Sequence, residues 1–306
     1  MKVAFAGTPD FAATILRGLI SSPHHIGLVI SQPDPRRGRG RKTQTTPVAA
    51  LARTANLPLR QPAHISEADD EISDHDALVV AAYGQILRPN TLHAATYGAW
   101  NVHASLLPNY RGAAPIERAI MAGEHTTGVT IMRMDEGLDT GPIALQRTVE
   151  IGPHTTGGEL AATLAEMGAK VIVDSLTLLE SGSLTLVEQN SLDATYAAKL
   201  SDEDKAIRWE WAAWEVHNLV RALAPHVGAR TFHEDFRGPV KIWRSTVVEG
   251  AAGSLGIGQI CSKNGRLVVG CGSGVLEVLE LQVPGSRRLS AEDFLRGRAL
   301  DGGFSG

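Results

Sequence analysis

The sequence predicts an α/β fold: an open, mostly parallel sheet with helices on both faces, followed by a small barrel of antiparallel strands. Three observations predict it. Apolar runs of strand length, "KVAFAG", "IGLVIS" and "DALVVAAYG", alternate with stretches whose apolar residues recur at helical spacing. Towards the C-terminus this pattern gives way to short glycine-punctuated runs, "GPVKIWRSTVV", "GSLGIGQICS", "RLVVGCG" and "GVLEVLELQV", as in a small antiparallel barrel. The 306 residues exceed one ordinary core and suggest two domains.

In chain order, "KVAFAG" at 2–7 is apolar throughout, as a strand buried on both faces must be. "TPDFAATILRGLISS" then offers Thr8 as N-cap, Pro9 at the first helical position and an apolar stripe of Phe11, Ile15 and Leu19. Residues 26–31 form the next strand, and "TPVAALARTAN" from Thr46 repeats the helix start before a short strand in "LPLRQ". Strands follow at 76–84 and 99–105, with a helical turn in "PNTLHAA" between them. Residues 113–123 read as a helix closed by Gly123, and 127–135 and 141–151 as strands. "TGGELAATLAEMGAKVIVDSLTLLESG" is a long helix with Leu160, Leu164, Met167, Val171 and Leu179 on or near one face. The segment after it is polar and irregular, a linker partly packed on the first domain. A helix over 210–224 precedes the glycine-punctuated strands, and "SAEDFLRG" at 290–297 carries a capping-box start.

Composition narrows the function classes. With 43% hydrophobic and 20% charged residues the chain is an ordinary soluble globular protein. No apolar run approaches the ~18 residues of a membrane span, and Gly7-Thr8-Pro9-Asp10 cuts the first apolar run, which reads as strand and turn and not as a signal peptide. Cys261 and Cys271 lack CxxC spacing, so they read as small buried strand residues in a reducing cytosol. The net charge of −4 argues against general nucleic-acid affinity, but it is unevenly spread: residues 207–306 carry +2 and residues 1–206 carry −6. "PRRGRGRK" opposes that trend, with Arg36, Arg37, Arg39, Arg41 and Lys42 in seven positions. Such a run is either a solvated loop or a flexible arm for a polyanion, since arginine pairs with phosphate through two donors.

The chemistry concentrates in "NVHASLLPNYRG". Residues two apart on a strand share a face, so Asn101 and His103 project together and Val102 lies opposite. In an open parallel sheet ligands bind beyond the carboxyl ends of the strands. An amide there can hold a carbonyl, and a neighbouring imidazole can donate to a developing oxyanion or shuttle a proton. Such a histidine needs a carboxylate to orient it. "MDEGLDTGPI" offers Asp139, with glycines on both sides allowing a tight loop, and Asp135 as its rival. Together these groups suggest acyl-type transfer without a covalent intermediate. Ser105 has no GxSxG around it, and no HExxH or His/Cys cluster supports a metal, so none is expected. "GTPDF" lacks both the GxGxxG and the Walker pattern, so Gly7 reads as a tight turn into a helix.

"AFAGTPDFA", "AAYGQILRP", "NVHASLLPNYRGAAPIERAI" and "GVTIMRMDEGLDTGPI" together resemble the methionyl-tRNA formyltransferases, within the 10-formyltetrahydrofolate-dependent formyltransferases. The resemblance covers essentially the whole chain. It implies a Rossmann-like catalytic domain at 1–188, a linker at 189–208 and an oligonucleotide-binding-like (OB-like) tRNA-binding domain at 209–306. It also implies Asn101, His103 and Asp139 as the catalytic trio, choosing Asp139 over Asp135. Ser105, Leu106, Leu107 and Pro108 would line the folate site, and Gln85, Ile86 and Leu87 would offer backbone to the pterin. In the basic arm Arg39 would meet the acceptor end of the tRNA, with Arg41 and Lys42 beside it; Arg36 and Arg37 are additions to the family pattern. The implied reaction moves the formyl group of 10-formyltetrahydrofolate to the amine of initiator methionyl-tRNA. The protein is then expected to be a cytoplasmic monomer with no metal. A glycinamide ribonucleotide or amino-sugar formyltransferase is the nearest rival, and a non-catalytic tRNA- or nucleotide-binding module the more distant one.

Overall fold

Residues 1–37, 42–248 and 255–306 of the chain are described by a computed structural model. The chain divides into two units that interleave along the sequence. One comprises Met1–Pro115, Thr126–Glu150 and Ala161–Ala197; the other comprises Ile116–His125, Ile151–Leu160 and Ala198–Gly306.

The first unit holds β1 (Lys2–Gly7), β2 (His25–Ile30), β3 (Arg36–Arg37), β4 (Lys42–Thr43), β5 (Leu59–Arg60), β6 (Ala77–Ala81), β7 (Ala99–His103), β8 (Thr126–Arg133) and β9 (Ile143–Glu150). Its helices are α1 (Asp10–Ile20), α2 (Pro47–Thr54), α3 (Asp69–Ser73) and α4 (Pro89–Leu92); α5 (Pro115–Met121) and α6 (Gly157–Glu180) each cross a boundary between units. Seven strands form one sheet in the order β5-β2-β1-β6-β7-β8-β9. Pairing is parallel from β5 through β7 and antiparallel for β7–β8 and β8–β9, so the sheet is mostly parallel, as predicted.

Side-chain alternation builds the layers. Ala4, Ala6, Leu28, Ile30, Leu78, Val80 and Ala99 join Ile65, Ala68, Ile72 and Leu92 in one buried cluster. On the opposite face α6 comes so close that a Cβ on Gly168 would stand 2.8 Å from Val102 Cγ1. A Cβ on Gly18 of α1 would likewise meet Ala169 Cβ at 2.6 Å, so α1 and α6 pack through small residues. Val102 is thereby held against α6, and its neighbours Asn101 and His103 must turn the other way.

The two Thr-Pro helix starts differ. Thr46 caps α2, its side chain accepting from Ala49 N at 3.2 Å, with Pro47 in the first turn, as predicted. Thr8 caps nothing: Pro9 is the N-cap of α1, and the Thr8 hydroxyl donates instead to Tyr83 O at 3.2 Å. A nearby tertiary acceptor has taken the side chain that local sequence assigned to the helix. The sequence reading also passed over α3 and the 3₁₀ turn Ile65–Ala68, both too short to show a helical period.

The ends of the basic arm pair as a two-residue antiparallel ladder, Arg36 opposite Thr43 and Arg37 opposite Lys42. Arg39 and Arg41 lie outside the described residues. At the root of the arm Asp34 accepts from Thr46 N and from the Gln61 side chain. Burial raises its pKa, but these bonds and the Arg53 charge outweigh it and hold the carboxyl below its ordinary value.

The second unit holds α7 (Ala213–Leu223), β10 (Ala229–Thr231), β11 (Val240–Val247), β12 (Ile260–Lys263), β13 (Arg266–Gly270), β14 (Val275–Gln282), β15 (Leu289–Ser290) and α8 (Ala291–Gly297). Its antiparallel sheet runs β10-β11-β14-β13-β12, with β15 also on β14. The C-terminal tail bridges both edges: Ser305 pairs with Phe232 beyond β10, and Gly303 pairs with Gln259 before β12. Phe304 stacks on Trp209, whose indole N–H donates to Thr231 Oγ1 at 2.9 Å. The tail therefore completes the rounded sheet that the strand spacing predicted. Ser290 caps α8 through Asp293 N, again as predicted.

A register shift in β11 leaves Trp243 as an extra residue opposite β14, so Ile242 and Trp243 are both buried while Arg244 is exposed. Arg288 lies 3.5 Å from the Trp243 ring centroid and Lys241 Nζ 5.2 Å from it. Burial lowers the pKa of Lys241, and the charges of Arg230, Arg288 and Lys205 lower it further. Among the described residues no helix is long and apolar enough to cross a membrane.

Candidate active site

The carboxyl end of β7 carries the polar groups. Asn101 is half-buried and His103 is buried, on the face opposite Val102. Their strand is flanked on both sides, by β6 up to Val80↔Asn101 and by β8 through His103↔Thr130, so the backbone that carries both side chains is fixed.

The chain after His103 is tied to the neighbouring strands. The Thr130 hydroxyl donates to Ser105 O at 2.7 Å and accepts from Leu107 N at 3.1 Å. Gln146 of β9 donates to Leu107 O and to Thr130 Oγ1, both at 2.9 Å. Ser105 is fully buried and its hydroxyl donates to Asn109 O at 2.6 Å, so this serine closes the "SLLP" turn. Leu107 is buried, and Leu106 and Pro108 are partly exposed. The turn then presents the Tyr110 carbonyl to His103, whose Nε2 donates to it at 3.0 Å.

Asp139 arrives from the loop between β8 and β9. Its geometry settles why Asp135 is not the partner of His103. Asp135 Oδ1 accepts from Gly137 N and from the Thr140 hydroxyl and so braces its own loop. The loop is tight enough that a Cβ on Gly141 would fall on Arg133 O, which accounts for that glycine. Asp139 itself sits at φ +53, a left-handed conformation costly for a non-glycine residue. That conformation turns its carboxylate inward: Oδ2 lies 3.7 Å from His103 Nδ1, and Oδ1 accepts from Asn101 Nδ2 at 3.5 Å. Both separations stand at the outer edge of a hydrogen bond. The three groups therefore converge without being tightly bonded to one another.

Three further residues that sequence reasoning did not single out support this cluster. Gly112 N donates to Asp139 Oδ2 at 2.8 Å. Gly112 has φ +122, and a Cβ there would stand 2.7 Å from Ala197 O, so only glycine fits without movement. Gln189 donates to the carbonyls of Asp139 and Gly141, and the buried Arg111 donates to Gln189. The left-handed glycine in "YRGA" was a legible signal; nothing local marks Gln189, which lies 50 residues beyond Asp139 in irregular chain.

The "QIL" segment divides by residue. Gln85 is spent on the chain: Oε1 accepts from Ile65 N at 3.0 Å and Nε2 donates to Ala63 O at 2.8 Å. Leu87 joins the buried cluster, and Ile86 is 93% exposed. Tyr83, just before, is buried, and burial pushes its phenol up to about 12, with the Glu67 charge adding to it. A cavity of about 600 Å³ opens at the start of β7, its wall including Ala99, Trp100, Arg133, Met134, Asp135 and Glu136, and none of Asn101, His103 or Asp139 lines it. Ala99 lies two residues before Asn101, on the same face of the strand.

Comparison with known proteins identifies the family. Residues 1–176 match the formyl transferase family and residues 199–299 match the formyl transferase C-terminal domain. The methionyl-tRNA formyltransferase of Rubrobacter xylanophilus is 63% identical over 302 residues, covering 99% of each chain. That of Pelotomaculum thermopropionicum is 45% identical over 311 residues, covering 99% of this chain and 98% of the relative. An N-formyltransferase from Helicobacter canadensis, solved with folinic acid and dTDP-3-aminofucose, shares the fold at a TM-score of 0.68 and 18% identity, over 91% of this chain and 98% of that one. The chain belongs to the methionyl-tRNA formyltransferase family.

Proposed function

We propose that Asn101, His103 and Asp139 carry out formyl transfer from 10-formyltetrahydrofolate to the amine of methionine on initiator methionyl-tRNA. One observation supports the assignment above others: an amide, an imidazole and a carboxylate converge at the end of β7, with Asp139 3.5 Å from Asn101 and 3.7 Å from His103.

The amine nitrogen attacks the formyl carbon, and the carbonyl oxygen takes on negative charge. Asn101 Nδ2 donates to that oxygen. His103 Nε2–H is committed to the Tyr110 carbonyl, so it is Nδ1 that, when it carries a proton, donates to the same formyl oxygen from an imidazolium. Asp139 offsets that charge and draws the proton from the attacking amine, directly or through water. Rupture of the bond to N10, with a proton delivered to that nitrogen, leaves the formylated amine and tetrahydrofolate.

The donor's ring system is assigned to the crevice edged by the "QIL" and "SLLP" segments, Gln85 to Leu87 and Ser105 to Pro108, whose chain is held in place by the Gln85 bond to Ala63 O and the Leu107 bond to Thr130. The RNA is assigned to the basic arm, Arg36, Arg37, Arg39, Arg41 and Lys42, and to the antiparallel unit with Lys241 and Arg288. Residues 1–188 then act as the catalytic domain, 189–208 as linker and 209–306 as the RNA-binding domain.

The test uses a radiolabelled formyl donor with methionyl-tRNA, with glycinamide ribonucleotide and without acceptor. Label should enter methionyl-tRNA alone. Label in glycinamide ribonucleotide, or in neither, would overturn the assignment.

A further inference from the structure

Arg111 is 2% exposed, and buried guanidinium groups normally meet a carboxylate. Among the described residues no ion pair involves it. Its Nε and one Nη instead donate to a single neutral atom, Gln189 Oε1, at 3.1 and 2.7 Å. The backbone of Arg111 is fastened to the same stretch, donating to Thr195 O and accepting from Ala197 N.

This arrangement fixes the Gln189 amide in one orientation. With Oε1 held by two guanidinium donors, Nε2 must face the other way, where it donates to Asp139 O at 2.9 Å and Gly141 O at 2.7 Å. Rotating the amide by half a turn would set N–H against N–H and carbonyl against carbonyl. Those two carbonyls flank the left-handed turn that aims the Asp139 carboxylate at His103 and Asn101.

We infer that Arg111 and Gln189 are positioning residues for the transfer step: the charged fork locks the amide, and the amide holds Asp139 in its strained, inward conformation. Neither residue touches the reacting atoms. The inference rests on the proposed role of Asp139 and extends it to residues that bind no substrate.

Gln189→Glu separates positioning from mere support. The substitution keeps the shape and gives Arg111 a full ion pair, so folding should be unharmed. It removes both N–H donors and turns a carboxylate oxygen on the carbonyls of Asp139 and Gly141. In steady-state formyl transfer by the full chain, kcat should fall at least about tenfold, with KM for donor and for methionyl-tRNA within about threefold. The new ion pair and the two carbonyls left facing a carboxylate oppose one another, so the thermal midpoint should stay within about 5 °C of the parent. Arg111→Lys, which keeps the charge but loses the fork, should cost less than Gln189→Glu. Because Arg111 acts through Gln189, the double variant should be no slower than Gln189→Glu alone. A kcat for Gln189→Glu within about threefold of the parent, or additive losses in the double variant, would overturn the inference. A parent chain that fails to formylate methionyl-tRNA would instead overturn the functional reading beneath it.

Discussion

The end of β7 and the Trp243 face of the antiparallel unit both gather polar groups, but they treat them in opposite ways. Around β7 most of those groups are satisfied by the protein itself: Ser105 by Asn109, His103 by Tyr110, Asp139 by Gly112, Gln189 by Arg111. At Trp243 the cations are gathered and only partly cancelled, Arg288 keeping a long ion pair of 3.9 Å with Glu280. Arg288 and Lys241 lie over one indole, and mutual repulsion helps hold Lys241 below its ordinary pKa. Chemistry needs donors fixed before the reaction begins, because orienting them during it would raise the barrier. Binding a polyanion needs the reverse, positive charge held close together and left for phosphate to neutralise.

That contrast can be tested from its strongest consequence down. His103→Ala and Asp139→Asn should each lower kcat by ~10²–10³ without weakening RNA binding, measured by formyl transfer and by filter retention of methionyl-tRNA. Gly112→Ala should cost about 2 kcal/mol of stability and also slow turnover, because φ +122 and the Ala197 carbonyl push the backbone and its Asp139 hydrogen bond aside. Urea unfolding read beside kcat checks both effects. Joint Lys241→Ala and Arg288→Ala substitution should weaken RNA binding about tenfold and flatten the slope of log affinity against log salt by about two. Turnover at saturating RNA should be unchanged.

The smallest effect concerns an ion pair in the second unit, remote in purpose from both regions. Arg118 grips Asp204 through two hydrogen bonds of 2.8 and 2.7 Å, and with the Ser201 amide holds its carboxyl well below the usual range. A depressed carboxylate stabilises the folded state above its unfolded pKa of ~3.9, and that contribution fades as pH falls through the folded value. Asp204→Asn should therefore cost about 1 kcal/mol at pH ~7 and progressively less below pH ~4. Urea titrations across that interval would show the two curves converging.

Much of this was legible in the sequence because it depends on short-range pattern. Apolar strand runs, alternation at Asn101 and His103, and the caps of α2 and α8 each follow from neighbouring residues. The glycine-flanked loop brought Asp139 into consideration; spacing left Asp135 level with it, the family resemblance chose Asp139, and the hydrogen bonds of Asp135 to Gly137 and Thr140 give the physical reason. What stayed hidden depends on distant chain. Thr8 forgoes a helix cap for the Tyr83 carbonyl 75 residues away, and the Arg111–Gln189 bond joins residues 78 apart. No local periodicity carries such pairings. The closing of the antiparallel sheet by Gly303 and Ser305 is hidden for the same reason, since "DGGFSG" resembles an ordinary polar terminus.

Single-turnover formyl transfer with Asn101→Ala, both substrates saturating, probes the oxyanion assignment without interference from binding. The convergence of amide, imidazole and carboxylate predicts a rate at least about a hundredfold below the parent with donor affinity retained. A folded variant turning over within about threefold of the parent would contradict it.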